Sequence, residues 1–457
     1  MQGRTRVPGS LSNALYIIPI LAVLILVHEF GHYLAARRCG VKVEEFGIGI
    51  PPRIYGKERN GTIWSVNLIP FGGFVRVKGE DAGDMSSDSM NSKPPLQRAF
   101  FLTAGVMMNL LLAVVLMIAV VGFQGVPHSS VYIAPQGVQA GSPAFQAGWQ
   151  PGDRIIAVDG NSIETVDELA NKTRSNAGNE ITVTVERAGN EIETSLTPRK
   201  DPPEGQGPVG VSLDDRTNGE ITAQQVGADS AAAMAGIQPG DVISEINGRT
   251  VTDAFVLGIE LQRFEGYATG VPIIVDRGNQ RLSTTLVVPQ LNDGDDPLKG
   301  VGLDVVKFTP VYEKVPVLEV IPRGFQEAYE TTVQMLTGLK SLFTSTENLK
   351  QVSGPIGMGQ ATGEIINQST LPLWVTLSQI TIVLSLNLAL LNLLPFPALD
   401  GGRLVFVIIE MLRGGRKIAP EKEGLVHFAG IVLLLGVMFV VAFSDIQRII
   451  DGRSFIP

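Results

Sequence analysis

His28 and His32 stand four residues apart in the stretch LVHEFGHYLAA (26–36), with Glu29 between them. Side chains at i and i+4 share one face of a helix. Two imidazoles so placed can ligate one zinc ion, and the intervening carboxylate can act as general base towards a water that the metal activates. The whole chain has four histidines, so a chance pairing in this pattern is rare.

A catalytic zinc takes three protein ligands and keeps one position open. His128, His427 and the carboxylates are the candidates for the third. His128 follows the second apolar run, at the end away from the motif. Asp400 is better placed, in LNLALLNLLPFPALDGGR (386–403) at the end of the third apolar run, level with the histidine pair. His427 opens the fourth run and stays an alternative, although a lone histidine there is more often structural. Pro395 and Pro397 bar a regular helix before Asp400, so the chain must unwind there. Asn387 and Asn392 lie in an apolar run where an unpaired amide is costly. They either bond neighbouring helices or satisfy the backbone of something else that has unwound.

These residues need elements to hold them. The apolar run Ala14–Val27 alone makes about 21 Å of helix at about 1.5 Å per residue, short of a bilayer core of about 30 Å. Carried on to Ala36 it reaches about 34 Å, which places the H-E-F-G-H cluster inside the membrane, where ionisable groups are a functional signal. Hydropathy assigns four spans, 14–36, 99–121, 372–394 and 425–443, the third continuing through the Asp400 motif to 402. The first is not a cleavable signal peptide, since no small-residue cleavage site follows it, and Met1–Ser12 is a basic lead-in without transit-peptide character. A bacterial plasma membrane, crossed several times, is the expected location.

The 457 residues are 44% hydrophobic with a formal charge of −9, and the charge is unevenly spread. Residues 125–370 hold 17 Lys and Arg against 31 Asp and Glu, a balance of −14, whereas 37–98 holds ten Lys and Arg and 400–424 holds five. The positive-inside bias puts those two connections in the cytoplasm and 125–370 outside, with the active site towards the cytoplasmic side. Nothing points to nucleic acid. The single cysteine, Cys39, excludes an intramolecular disulfide and a multi-cysteine zinc site.

Between the first two spans, residues 41–80 read as strands with a hairpin, too apolar for a wet loop and so membrane-associated; 81–98 reads as a polar, mobile linker. The outer segment repeats at an offset of 88: SPAFQAGWQPGDRIIAVDG (142–160) matches SAAAMAGIQPGDVISEING (230–248) at 10 of 19 positions. Each copy runs through a short helix, a Gln-Pro-Gly-Asp turn and a strand, followed by strand–turn–strand segments. This resembles PDZ domains of the permuted kind found in bacterial proteases, here at 125–200 and 205–310, with GPVGVSL (207–213) and GVGLDVV (300–306) similar to their ligand-groove strands. Such domains bind extended peptides by strand addition or act as a steric filter. An amphipathic helical segment is expected over 318–350, with apolar side chains at 325, 329, 333, 336, 339 and 343.

With H-E-F-G-H at 28–32 and N-L-L-P-F-P-A-L-D-G at 392–401, the chain resembles the site-2 protease family of intramembrane zinc metalloproteases, nearest the regulator of sigma-E protease branch. The implied fold is a polytopic α-helical membrane protein with four transmembrane helices, a membrane-associated β region and two extracytoplasmic α/β PDZ domains. The resemblance implies one Zn2+ per chain held by His28, His32 and Asp400, with Glu29 as base. Asn387, Asn392, Pro395 and Pro397 would hold the substrate strand, and the β region at Gly72, Gly73 and Phe74 would offer it an edge. The implied partners are a membrane-anchored substrate with a single transmembrane helix, of the anti-sigma factor or remnant signal peptide type, the lipid bilayer, and an upstream site-1 type protease that trims the substrate first, in regulated intramembrane proteolysis. A non-enzymatic membrane PDZ scaffold is the alternative, opposed by the cost of placing His28, Glu29, His32 and Asp400 in hydrocarbon. A zinc transporter or sensor would need further ligands that the spans do not offer.

Overall fold

A computed structural model describes residues 10–451 apart from 80–83, 188, 204, 292–295, 343–352 and 370. The chain forms two compact units, Met1–Phe123 with Val315–Pro457, and Gln124–Lys314.

Four helices of the first unit are long and apolar enough to cross a membrane: Ser12–Arg38, Pro95–Gln124, Leu373–Leu393 and Glu421–Ile450. The second and fourth run several residues past their hydropathy limits at both ends, because polar ends extend a helix without adding to its apolar core. Proline opens both helical segments (Pro95 and Pro420), where its missing N–H costs no intrahelical bond. The third helix stops at Leu393 and a separate helix, Asp400–Leu412, begins at Asp400 itself. The single element expected to run to 402 is therefore two, divided by Pro395 and Pro397. Asp445 is buried within the fourth helix, and its Oδ2 accepts from the N–H groups of Gly354 and Gly357 at 3.0 and 2.8 Å. It caps the helix Pro355–Gln368, whose first N–H groups have no partner of their own.

Between the first two spans lie β1 (Val43–Arg59) and β2 (Thr62–Val77), joined by a two-residue turn with Asn60 and Gly61 both at positive φ. This is the Asn-Gly hairpin geometry. Both strands bend, so Val43–Ile48 pairs on one side with Ile63–Val66 and on the other with Gly73–Val77. The second half of β2 is thereby left at a sheet edge. Phe30 and Tyr33 of the first helix pack against Phe46 and Trp64, with ring centroids 5.3–6.4 Å apart across the helix–sheet seam. The linker 81–98 is more ordered than its polarity suggests. Met90 is buried with Val41, Val43 and Val77, its N–H donates to Lys78 O at 2.9 Å, and Ser89 caps the short turn Met90–Ser92. One apolar side chain in a polar run is enough to dock it. Residues 81–83 lie outside the description.

A helix spans Val320–Leu342 within the expected amphipathic segment; Phe343 and the rest up to 350 lie outside the described residues. Phe325, Tyr329, Val333 and Leu336 are exposed along it, and a Cβ on its Gly324 would meet Ile118 of the second spanning helix at 2.6 Å.

In the second unit the two repeats build two six-stranded antiparallel sheets of the same order. The first runs 190–196, 181–187, 154–158, 129–138, 211–217; the second runs 280–286, 271–277, 242–246, 219–226, 303–310. Each has its own apolar core. The repeated Gln-Pro-Gly-Asp turn has a structural use. Asp241, buried, takes a two-point fork from Arg277 at 2.7 and 2.8 Å, and its carboxylate also accepts from Gln238 N–H; Asp153 does the same with Arg187 and Gln150. Arg249, where the first repeat has Asn161 at the 88 offset, joins the copies: it pairs with the buried Glu260 and donates to Gly152 O at 2.8 Å.

The Arg277 hydrogen bonds hold the Asp241 carboxyl below the usual carboxylate range. A depressed folded value stabilises the fold above the unfolded value of about 4 and loses that contribution as pH falls through the folded value. Asp241→Asn in segment 124–314 should therefore melt about 5 °C below the parent at pH 7, and the gap should close below pH of about 4. Calorimetry across pH checks this; a gap that does not vary with pH would mean that packing, not the charge, is at stake.

Candidate metal centre

The first spanning helix brings His28 Nε2 and His32 Nε2 within 3.2 Å of each other. Asp400 Oδ2 lies 3.1 Å from the first and 3.4 Å from the second. Among the described residues this is the one group of three histidine, cysteine or carboxylate side chains arranged to hold a metal ion. Tetrahedral zinc with bonds of about 2.0–2.1 Å sets its ligand atoms about 3.3 Å apart. The three observed edges match that spacing, and three donors leave the fourth corner to a reactant, so the residues fit zinc.

Each donor is fixed by its surroundings. His32 Nδ1–H donates to Phe101 O at 2.8 Å, which leaves its Nε2 to face the cluster. Gly105 of the second spanning helix lies against both rings; a Cβ there would come within 2.6 Å of His28 Cε1 and His32 Nε2. Gly31 meets the backbone of Ala104 just as tightly. The two helices thus touch through glycines, and neither hydropathy nor the metal motif pointed to Gly31 or Gly105. We expect Gly105→Ala to displace the rings and lower zinc retention at least about tenfold while leaving the helical circular dichroism intact; unchanged retention would show that the helices can part to admit the methyl.

Asp400 is carried by the loop 394–399. Ala398 in it has φ +83°, a conformation costing about 1–2 kcal/mol outside glycine. The fourth spanning helix supports that strain: His427 Nδ1 accepts from Ala398 N–H at 3.1 Å, and Gly430 lies tight against Pro397. His427 is therefore engaged by the loop rather than gathered with the histidine pair, and His128 lies in the other unit, beside Glu313. The acidic Asp400 also opens its helix, where the helix dipole favours a negative charge.

Glu29 points to the sheet. Its Oε2 accepts from the backbone N–H of Val75 at 3.0 Å. Gly72 and Gly73 make this approach possible, since Cβ atoms there would meet Ile25 at 2.9 Å and Leu26 at 2.7 Å, one turn before the motif. Phe74 covers Gly47. The edge of β2 is thus seated on the first helix at the glutamate. A cavity of about 230 Å³ opens beside it, lined by His28, Glu29, Asn392, Ala398 and Asp400 among others. Asn392 faces this cavity, whereas Asn387 and Pro395 are exposed and do not line it.

The profile of Peptidase family M50 matches residues 16–437. The chain is 27% identical over 523 residues to the zinc metalloprotease RasP of Oceanobacillus iheyensis, covering 96% of this chain and 100% of the relative. It is 31% identical to the protease RseP of Yersinia pestis, over 96% of this chain and 99% of the relative. Among solved structures, the PDZ domain of an SdrC-like protein from Listeria monocytogenes aligns with 18% of this chain and 85% of its own, at 20% identity and a TM-score of 0.16, too slight a likeness to argue from.

Proposed function

The chain belongs to peptidase family M50, the site-2 proteases, and from that premise we propose how this intramembrane zinc metalloprotease works. His28, His32 and Asp400 hold the zinc through Nε2, Nε2 and Oδ2. Zinc, when bound, supplies the Lewis acid that polarises the scissile carbonyl. Glu29 is the base: with Oε2 tied to Val75 N–H, Oε1 takes the proton of the attacking water and delivers it to the departing amide nitrogen.

A transmembrane substrate helix must first unwind, since its amides are already bonded and its freed groups need partners. The exposed edge at Gly73–Val77 offers them by strand addition, and Asn392 faces the same cavity from the opposite wall. Asn387, Pro395 and Pro397 act on the substrate strand further out, where they are accessible, and Gly72, Gly73 and Phe74 present the edge. The relatives named regulators of sigma-E protease suggest a membrane-anchored anti-sigma factor as substrate, trimmed beforehand by a site-1 type protease. The basic connections 37–98 and 400–424 favour a cytoplasmic active site in a bacterial inner membrane, with the two PDZ-like repeats outside as a size filter.

The observation that carries this reading is the three-donor cluster with Glu29 one residue away and an edge strand on that glutamate. The test uses detergent-purified protein and a single-span reporter substrate. Cleavage abolished by a chelator and restored by zinc supports the protease; a folded preparation that binds zinc at no measurable level and cuts nothing would return the chain to a PDZ scaffold.

A further inference from the structure

Asn109 stands in the second spanning helix with no exposure to solvent. Its backbone carbonyl accepts from Ser385 Oγ of the third helix at 2.8 Å, which fixes it where three helices meet. Its side-chain Nδ2 lies 3.4 Å from His28 Nδ1. Its Oδ1 is buried and, among the described residues, has no hydrogen-bond partner.

A histidine that gives Nε2 to a metal carries its proton on Nδ1, and that N–H requires an acceptor. His32 has one in Phe101 O. For His28 the neighbouring group is the Asn109 amide. Half a turn about the terminal side-chain bond, a torsion with a broad two-fold profile, exchanges nitrogen for oxygen. It gives His28 Nδ1–H its acceptor and the orphaned Oδ1 its donor in one step. We propose that Asn109 is a positioning residue for the metal centre: its amide oxygen accepts from His28 Nδ1–H and holds that ring with Nε2 towards Asp400 and His32. It touches neither substrate nor metal. The inference rests on the assignment of His28 as a ligand through Nε2.

The test compares full-length wild type, Asn109→Asp and Asn109→Leu in detergent, with zinc affinity measured by competition against a chromophoric chelator. Leucine keeps the volume and removes the acceptor; aspartate is an acceptor at the same reach. Asn109→Leu should bind zinc roughly 10–100-fold more weakly, and Asn109→Asp should bind as tightly as wild type or tighter. A purely structural role would not produce that rescue. Wild-type affinity in Asn109→Leu, or equal weakening in both variants, overturns the proposal, and the aspartate variant keeps it testable if the leucine variant does not fold. Absence of zinc from wild type would instead sink the ligand assignment beneath it.

Discussion

Glu29→Gln is expected to retain zinc at one per chain and to cut peptide bonds about 10²–10⁴-fold more slowly. The substitution is nearly isosteric. The glutamine Oε1 can still accept from Val75 N–H, now bonded to Glu29 Oε2 at 3.0 Å, so the sheet edge keeps its seat on the first helix. Histidine and aspartate donors are untouched. What is lost is an anionic oxygen able to take a proton. Zinc analysis and single-turnover cleavage of the reporter check both halves, and wild-type cleavage by the variant would remove Glu29 from the chemistry. Glu29→Ala is the informative companion. It deprives Val75 N–H of its partner as well, so it should impair substrate capture in addition to turnover. Equal KM values for the two variants would mean that the Val75 contact has no part in docking.

Asp400→Ala should release the metal. Two imidazoles 3.2 Å apart would be left with no third donor, and the nearest other histidine, His427, is committed to Ala398 N–H. A ligand contributes more than the surrounding shell, so retention against a chelator should fall by more than about 100-fold. Loss of cleavage should follow in proportion, with helical content unchanged. Zinc still at one per chain would assign the third position elsewhere. Asp400→Asn separates charge from geometry: it keeps an oxygen donor on the strained loop and should fall between wild type and alanine.

Much of this was written in local patterns. The i, i+4 histidines with a glutamate between them, and the length of the apolar run around them, need no partner chain to be read: helix pitch alone puts both rings on one face. The four spans follow in the same way from the cost of exposed backbone in hydrocarbon, and the 88-residue repeat from self-similarity. Pro395 and Pro397 announced the break before Asp400, though not that Asp400 would open a new helix.

Contacts between distant segments left weaker traces. Gly31 and Gly105 look like ordinary small residues of apolar runs until the helices are seen to meet through them. Asn109 was a visible oddity, an amide in a hydrophobic stretch, but its partner is 81 residues away. The role of His427 was undecidable from its surroundings in sequence; the positive φ of Ala398 made it a support for the loop. Val75 could not have been found at all, since a backbone N–H carries no residue signature. The sequence by itself determined which side chains can do the chemistry and that they lie at membrane depth, because those depend on residue type, periodicity and hydropathy. Only the tertiary structure decided what holds them at bonding distance, because close approach between helices 70 to 370 residues apart depends on packing that no local pattern encodes.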